Sequence, residues 1–143
     1  IPLIRVHPTI VAQAAATSFE LSEGRFFLGL GTGEALNEHI TGDRWPPSDT
    51  RQAMLIEAIE IIRELWTGET VDYEGDYYVV ENAHLFSAPE RPPAIICAAS
   101  GEQAARLAGE YGDGLWSTSP SKQTVEAYRS AGGDGDVIGQ LTL

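Results

Sequence analysis

Phe26-Phe27-Leu28-Gly29-Leu30-Gly31-Thr32-Gly33-Glu34-Ala35-Leu36-Asn37-Glu38 is the stretch that decides the fold. Its opening apolar and glycine positions read as a strand buried on both faces, the mark of a parallel sheet in an α/β protein. Glycines at alternate positions then remove Cβ atoms where the chain leaves the sheet, so another backbone or a ligand can come close. Glu34 follows that opening directly. Ligands of parallel α/β folds bind at the carboxyl ends of strands, so the chemistry is expected there.

Working outward, Ile1–Val6 reads as the end of a strand, and Pro8 suits the first turn of a helix that stops near Gly24. Strand, helix and strand would make a βαβ unit. Past the glycines, Glu34–His39 predicts a short helix and Trp45-Pro46-Pro47 a rigid loop. Ser48 or Asp49 is placed to cap the next helix. That helix keeps Leu55, Ile56, Ile59, Ile62, Leu65 and Trp66 on one face and Glu57, Glu60, Arg63 and Glu64 on the other. The period changes over Val71–Val80, where β-prone runs flank Glu74-Gly75 and predict a hairpin. Strands are then expected over Ala94–Ala99, Leu115–Thr118 and Val137–Leu143, with helices over Glu102–Tyr111 and Lys122–Ala131 between them. The pattern amounts to about five parallel strands plus a hairpin, where a full barrel needs eight strands and about 250 residues.

The 143 residues carry 21 Asp and Glu against 9 Lys and Arg, a net charge of −12. Cations that could neutralise phosphates are few and scattered, which excludes a nucleic-acid partner and disfavours an anionic membrane surface. No apolar run approaches the roughly 20 residues needed to span a bilayer. The single cysteine, Cys97, cannot form an internal disulfide, and the cytoplasm is the expected location. A first residue other than Met and an apolar last segment suggest a piece of a longer protein.

Familiar signatures mostly fail. Gly29-x-Gly31-x-Gly33 lacks the third glycine of a dinucleotide fingerprint, since Glu34 stands in its place. Phosphate-loop and nucleophile-elbow motifs are missing, and His7, His39 and His84 have no metal-ligand spacing, so no metal is expected. Glu34 reads either as an acid–base group or as a carboxylate complementing a helix dipole. Asn37, one turn on, shares its face. Ser100 and Gly101 read either as an anion seat of backbone amides or as an ordinary helix cap by Ser100. Trp66, Tyr77 and Tyr78 read as packing groups, as does Cys97.

Arg5-Val6-His7-Pro8, Val11-Ala12-Gln13-Ala14, the run Gly24–Glu38, Glu64-Leu65-Trp66, Gly75-Asp76-Tyr77-Tyr78, Ala98-Ala99-Ser100-Gly101 and Gly112-Asp113-Gly114 together resemble the bacterial luciferase-like superfamily. Within it, the chain resembles the branch of coenzyme F420-dependent oxidoreductases related to glucose-6-phosphate dehydrogenase. The resemblance implies a (β/α)8 TIM-barrel-like fold, incomplete here, with residues 1–143 as a single partial domain and the hairpin inserted at about 70–81. It also implies hydride transfer between the deazaflavin F420 and a small alcohol or sugar-type substrate, and a homodimer in the intact family.

On the same resemblance, Glu34 is the catalytic carboxylate, while Thr32, Gly33 and Asn37 line the cofactor. Ser100, Gly101, Gln103 and Ala104 hold its phosphate end, and Thr118 lies on the substrate side. Ile1 stands where a relative has a cofactor-contacting threonine. The family's catalytic histidine and tryptophan belong to strands outside this chain. A phosphate-binding lysine of the family falls on Ser121, with Lys122 displaced by one, which argues against glucose 6-phosphate. The alternatives are an FMN-dependent luciferase-like monooxygenase and, from a different class, a truncated, catalytically inactive fragment. By itself the chain is expected to give no turnover.

Overall fold

The computed structural model describes residues 1–119 and 121–140. Within them the run before the glycines forms β1 (Leu28–Leu30), which pairs in parallel with β4 (Ile95–Ala98). β4 pairs with β5 (Gly114–Ser117), and β5 with β6 (Asp136–Gly139), all in parallel, giving the order β1-β4-β5-β6. Ile95, Ile96, Cys97 and Leu115 are buried, as expected for strands packed on both faces. The links between these strands are α4 (Glu102–Tyr111) and α5 (Lys122–Ser130). The chain divides into two compact units. One, the sheet unit, comprises Leu28–Gly31 and the chain from Ala94 onward; the other, the helical unit, comprises Ile1–Phe27 and Thr32–Pro93.

In the sheet unit, Ala105, Leu107 and Ala108 of α4 and Ala127 and Tyr128 of α5 are buried. Gly109 lets the two helices approach closely: a Cβ built there would lie 2.3 Å from the Tyr128 carbonyl oxygen and 3.0 Å from Ala131 Cβ. Tyr128 is fully buried, and its hydroxyl accepts the Gly135 N–H at 3.1 Å. Arg129 Nη1 donates to the Gly133 and Gly135 carbonyls, each at 3.0 Å, fixing the turn into β6. Asp113 ties β4 to the start of β5, its N–H donating to Ile95 O and its carboxylate accepting the Ile95 N–H, both at 2.8 Å.

The helical unit holds α1 (Pro8–Leu21), α2 (Ala35–Glu38) with a 3₁₀ turn over His39–Thr41, α3 (Ser48–Leu65), and a hairpin of β2 (Thr70–Glu74) and β3 (Val79–His84). α3 buries Leu55, Ala58, Ile59, Ile61, Ile62 and Leu65, the apolar face its periodicity predicts. Trp66, just past its end, is 4% exposed and donates its indole N–H to Ala12 O of α1 at 3.0 Å. The hairpin loop is held by Glu57 of α3: its carboxylate accepts the N–H groups of Asp76, Tyr77 and Tyr78 at 2.9, 3.0 and 3.1 Å. Such charge-assisted bonds to consecutive amides are among the stronger local contacts available to a loop.

Three expectations need correction. Ile1–Val6 forms no extended strand: Pro2 keeps a single β-bridge, and the Arg5 N–H then donates to Pro2 O at 3.5 Å, closing a turn. The sheet therefore has four parallel strands among the described residues rather than five, and no βαβ unit precedes β1. Neither Ser48 nor Asp49 caps α3. Pro47 occupies the capping position with no side-chain bond, Ser48 is already helical, and Asp49 accepts only from Thr50 N–H at 2.8 Å. The last strand ends at Gly139, and residues 141–143 of its expected span lie outside the described residues.

Tyr78 gives a test of the packing. It is 7% exposed, donates to Leu3 O at 3.1 Å, and burial, with Glu57 nearby, pushes its phenol up from 10.0 to about 12. Because the folded state holds that proton more tightly, its stabilising effect is complete below pH 10 and lost as pH rises through about 12. Tyr78→Phe should therefore show a shallower alkaline loss of stability than the parent chain. At neutral pH it should cost about 1 kcal/mol for the missing hydrogen bond. Urea unfolding at pH 7 and between pH 10 and 12 measures both.

Candidate functional site

Thr32, Gly33, Glu34 and Asn37 lie together in the helical unit, on the turn that follows β1. Gly33 has φ +76°, a left-handed conformation that side chains rarely adopt. A Cβ there would also lie 2.9 Å from Pro2 Cβ and 3.1 Å from Glu38 Cγ, so space and backbone both demand glycine. Glu34 occupies the extended residue before α2, and its carbonyl accepts the N–H groups of Asn37 and Glu38 at 2.9 and 3.0 Å. Asn37 Nδ2 reaches Glu34 Oε2 at 3.4 Å, and both side chains are exposed. The shared face expected from their spacing is thus present as a weak pair. An exposed carboxylate beside an amide can bind a polar group and exchange a proton with it.

Thr32 Oγ1 accepts from Arg51 Nη1 of α3 at 3.3 Å. Arg51 is fixed in turn by Nε donation to Pro46 O at 3.1 Å and by stacking over Trp45, 4.5 Å from the ring centroid. Sequence reasoning missed Arg51. Trp45 was the available signal, because an aromatic face is a ready partner for a guanidinium.

Ser100, Gly101, Gln103, Ala104 and Thr118 belong to the sheet unit. β4 and β5 are parallel neighbours, so the start of α4 and Thr118 share the carboxyl edge of the sheet. Gly31 leaves at that edge as well, where a Cβ would stand 3.2 Å from Ala98 Cβ. Ser100 does not cap α4. Gly101 takes the capping position in extended geometry, and no side chain accepts from the first turn. The free amides of that turn, with the helix dipole behind them, suit an anion such as a phosphate. Thr118 is exposed, while Ser117 Oγ just before it is buried with no hydrogen-bond partner. Ser121 is engaged as the cap of α5, accepting the Thr124 N–H at 3.1 Å, and Lys122 Nζ points to Glu126 Oε1 at 3.5 Å.

A cavity of about 230 Å³ between α1 and the segment from Ala83 to Ser87 contains none of these residues. Among the described residues, no group of three or more His, Cys, Asp or Glu could hold a metal ion, and no helix is long and apolar enough to cross a membrane.

The profile of the luciferase-like monooxygenase family matches residues 1–136. The chain belongs to this family. Over 113 residues it is 50% identical to an F420-dependent hydroxymycolic acid dehydrogenase of Mycobacterium tuberculosis (strain ATCC 25618 / H37Rv), covering 79% of this chain and 31% of that one. It is 48% identical over 118 residues to an F420-dependent glucose-6-phosphate dehydrogenase of Nakamurella multipartita, covering 82% of this chain and 35% of the relative. An F420-dependent secondary alcohol dehydrogenase, solved with an F420–acetone adduct, superposes with a TM-score of 0.84 at 32% identity, covering 94% of this chain and 45% of that structure. This luciferase-like chain therefore spans about a third of the length of the curated relatives it matches. Its α/β fold with a parallel sheet is a portion of the family's (β/α) barrel.

Proposed function

We propose that this chain is part of an oxidoreductase that uses coenzyme F420 to move a hydride to or from a small, unphosphorylated alcohol or sugar-type substrate. The observation that carries the reading is the glycine-lined turn after β1, on which Glu34 and Asn37 stand paired and exposed. Similarity to F420-dependent dehydrogenases at 45–50% identity supports the choice of cofactor. The uncapped first turn of α4 fits that cofactor's phosphate end.

The bound deazaflavin would supply the hydride-accepting or hydride-donating carbon. Thr32, held by Arg51, and Gly33 would line the ring, with Asn37 orienting Glu34. Glu34 would take or return the proton of the substrate hydroxyl at its carboxylate oxygens. Backbone amides of the turn begun by Ser100 and Gly101, with Gln103 and Ala104, would receive the phosphate. Thr118 would meet the substrate. Ser121 is engaged as the α5 cap and so is not free to meet a substrate phosphate, which supports an unphosphorylated alcohol. A homodimer and a cytoplasmic location belong to the same reading.

Fluorescence titration of the chain with F420 and, separately, FMN tests the cofactor. Quenching of F420 is expected; binding of FMN alone would overturn the reading in favour of the monooxygenase alternative. In the intact enzyme, Glu34→Gln should keep F420 affinity and lower turnover by about 10²-fold. Near-normal turnover would remove Glu34 from the chemistry.

A further inference from the structure

α2 and the turn after it are built inside out. Glu38, a carboxylate, is 4% exposed, whereas Leu36 and Ile40 on either side are 78% and 69% exposed. Carboxylates are almost never buried unless paired. The partner here is Arg5, whose Nε forms an ion pair with Glu38 Oε2, a charge contact without hydrogen-bond geometry. Arg5 lies just before α1, so this bond ties the turn after β1 to a distant stretch of the same helical unit.

We propose that the Arg5–Glu38 pair is the positioning device for the turn that carries Thr32, Gly33, Glu34 and Asn37, an inference that rests on the functional reading above. Three contacts make the case. Glu38 packs beneath Gly33, where a Cβ would come within 3.1 Å of its Cγ and 3.2 Å of its Oε1. Its backbone N–H donates to the Glu34 carbonyl at 3.0 Å, closing the turn behind the candidate acid. Its own carbonyl accepts from Thr41 Oγ1 at 3.1 Å, stopping the helix one turn later. A four-residue helix has too few internal bonds to hold its place alone. Fixing the Glu38 side chain therefore fixes Gly33 from below and Glu34 from behind. Apolar contact cannot serve instead, because Leu36 and Ile40 face outward.

Arg5→Met leaves the buried Glu38 carboxylate without its cation, so circular dichroism first establishes that the variant folds, whereas Arg5→Lys keeps the charge. F420 fluorescence quenching by the full chain is the first readout. Arg5→Met is expected to weaken binding by about tenfold or more, since small misplacements of positioning groups carry such effects, and Arg5→Lys to recover most of it. Hydrogen exchange is the second readout: amides from Glu34 to Gly42 should exchange faster in Arg5→Met, with those of α3 unchanged. Unaltered F420 affinity, or unaltered exchange over that segment, would overturn the inference, whatever happens to thermal stability. Failure of the unsubstituted chain to bind F420 would overturn the functional reading and this inference together; quenching of equal strength by the parent and Arg5→Met chains would overturn this inference alone.

Discussion

Gly109→Ala is expected to lower the unfolding free energy by about 2–3 kcal/mol. Helix propensity points the other way, since alanine in a helix interior is favoured over glycine by about 1 kcal/mol. Overlap decides the outcome. A methyl group 2.3 Å from the Tyr128 carbonyl oxygen meets backbone, which cannot swing aside as a flexible side chain can. α4 and α5 must separate, and Tyr128, fully buried with its hydroxyl on Gly135, must move with them. Urea unfolding gives the magnitude, and amide exchange in α4 and α5 localises it. A variant as stable as the parent, or more so, would mean that the helices part at negligible cost.

Trp66→Ala should cost the helical unit more, about 3–5 kcal/mol, the range for removing a large buried aromatic. The indole fills the space between the end of α3 and α1 and donates to Ala12 O at 3.0 Å. Trp66→Phe separates the two contributions. It keeps part of the ring and loses the bond, so it should cost the smaller share, with about 1 kcal/mol from the bond itself. If both variants are equally mild in denaturant titrations, Trp66 is a surface ornament and not a joint between α1 and α3.

The parts of the fold that could be read from the sequence are those whose cause is local. Leu28–Leu30, Ile95–Ala98 and Gly114–Ser117 are short apolar runs between turn residues, and α3 and α4 announce themselves by a polar face and an apolar face. Ile1–Val6 misled in extent: only Pro2 keeps a bridge, while Arg5 turns away to serve a long-range need, the pairing with Glu38. Nothing in the local sequence marks Glu38 as buried, and only the tertiary fold reveals that it is inside. The role of Gly109 is invisible locally for the same reason, since it lies in a neighbour on another helix. In the candidate site, Glu34 with Asn37 followed from one-turn spacing, and the amides opening α4 from the Ser100-Gly101 stop. Arg51 did not, because its link to Thr32 spans a loop whose path local propensity does not determine.

The route of the backbone has a consequence for synthesis on the ribosome. The neighbour of Leu28–Leu30 in the sheet, Ile95–Ala98, is made only after the whole of Thr32–Pro93. During that interval the pairing of Leu28–Leu30 with Ile95–Ala98 cannot form, and the intervening helices and hairpin can complete their own packing first. Assembly of the parallel layer is therefore a late, long-range closure and should be the slow phase of refolding. A peptide beginning at Ala94 would lack that edge altogether.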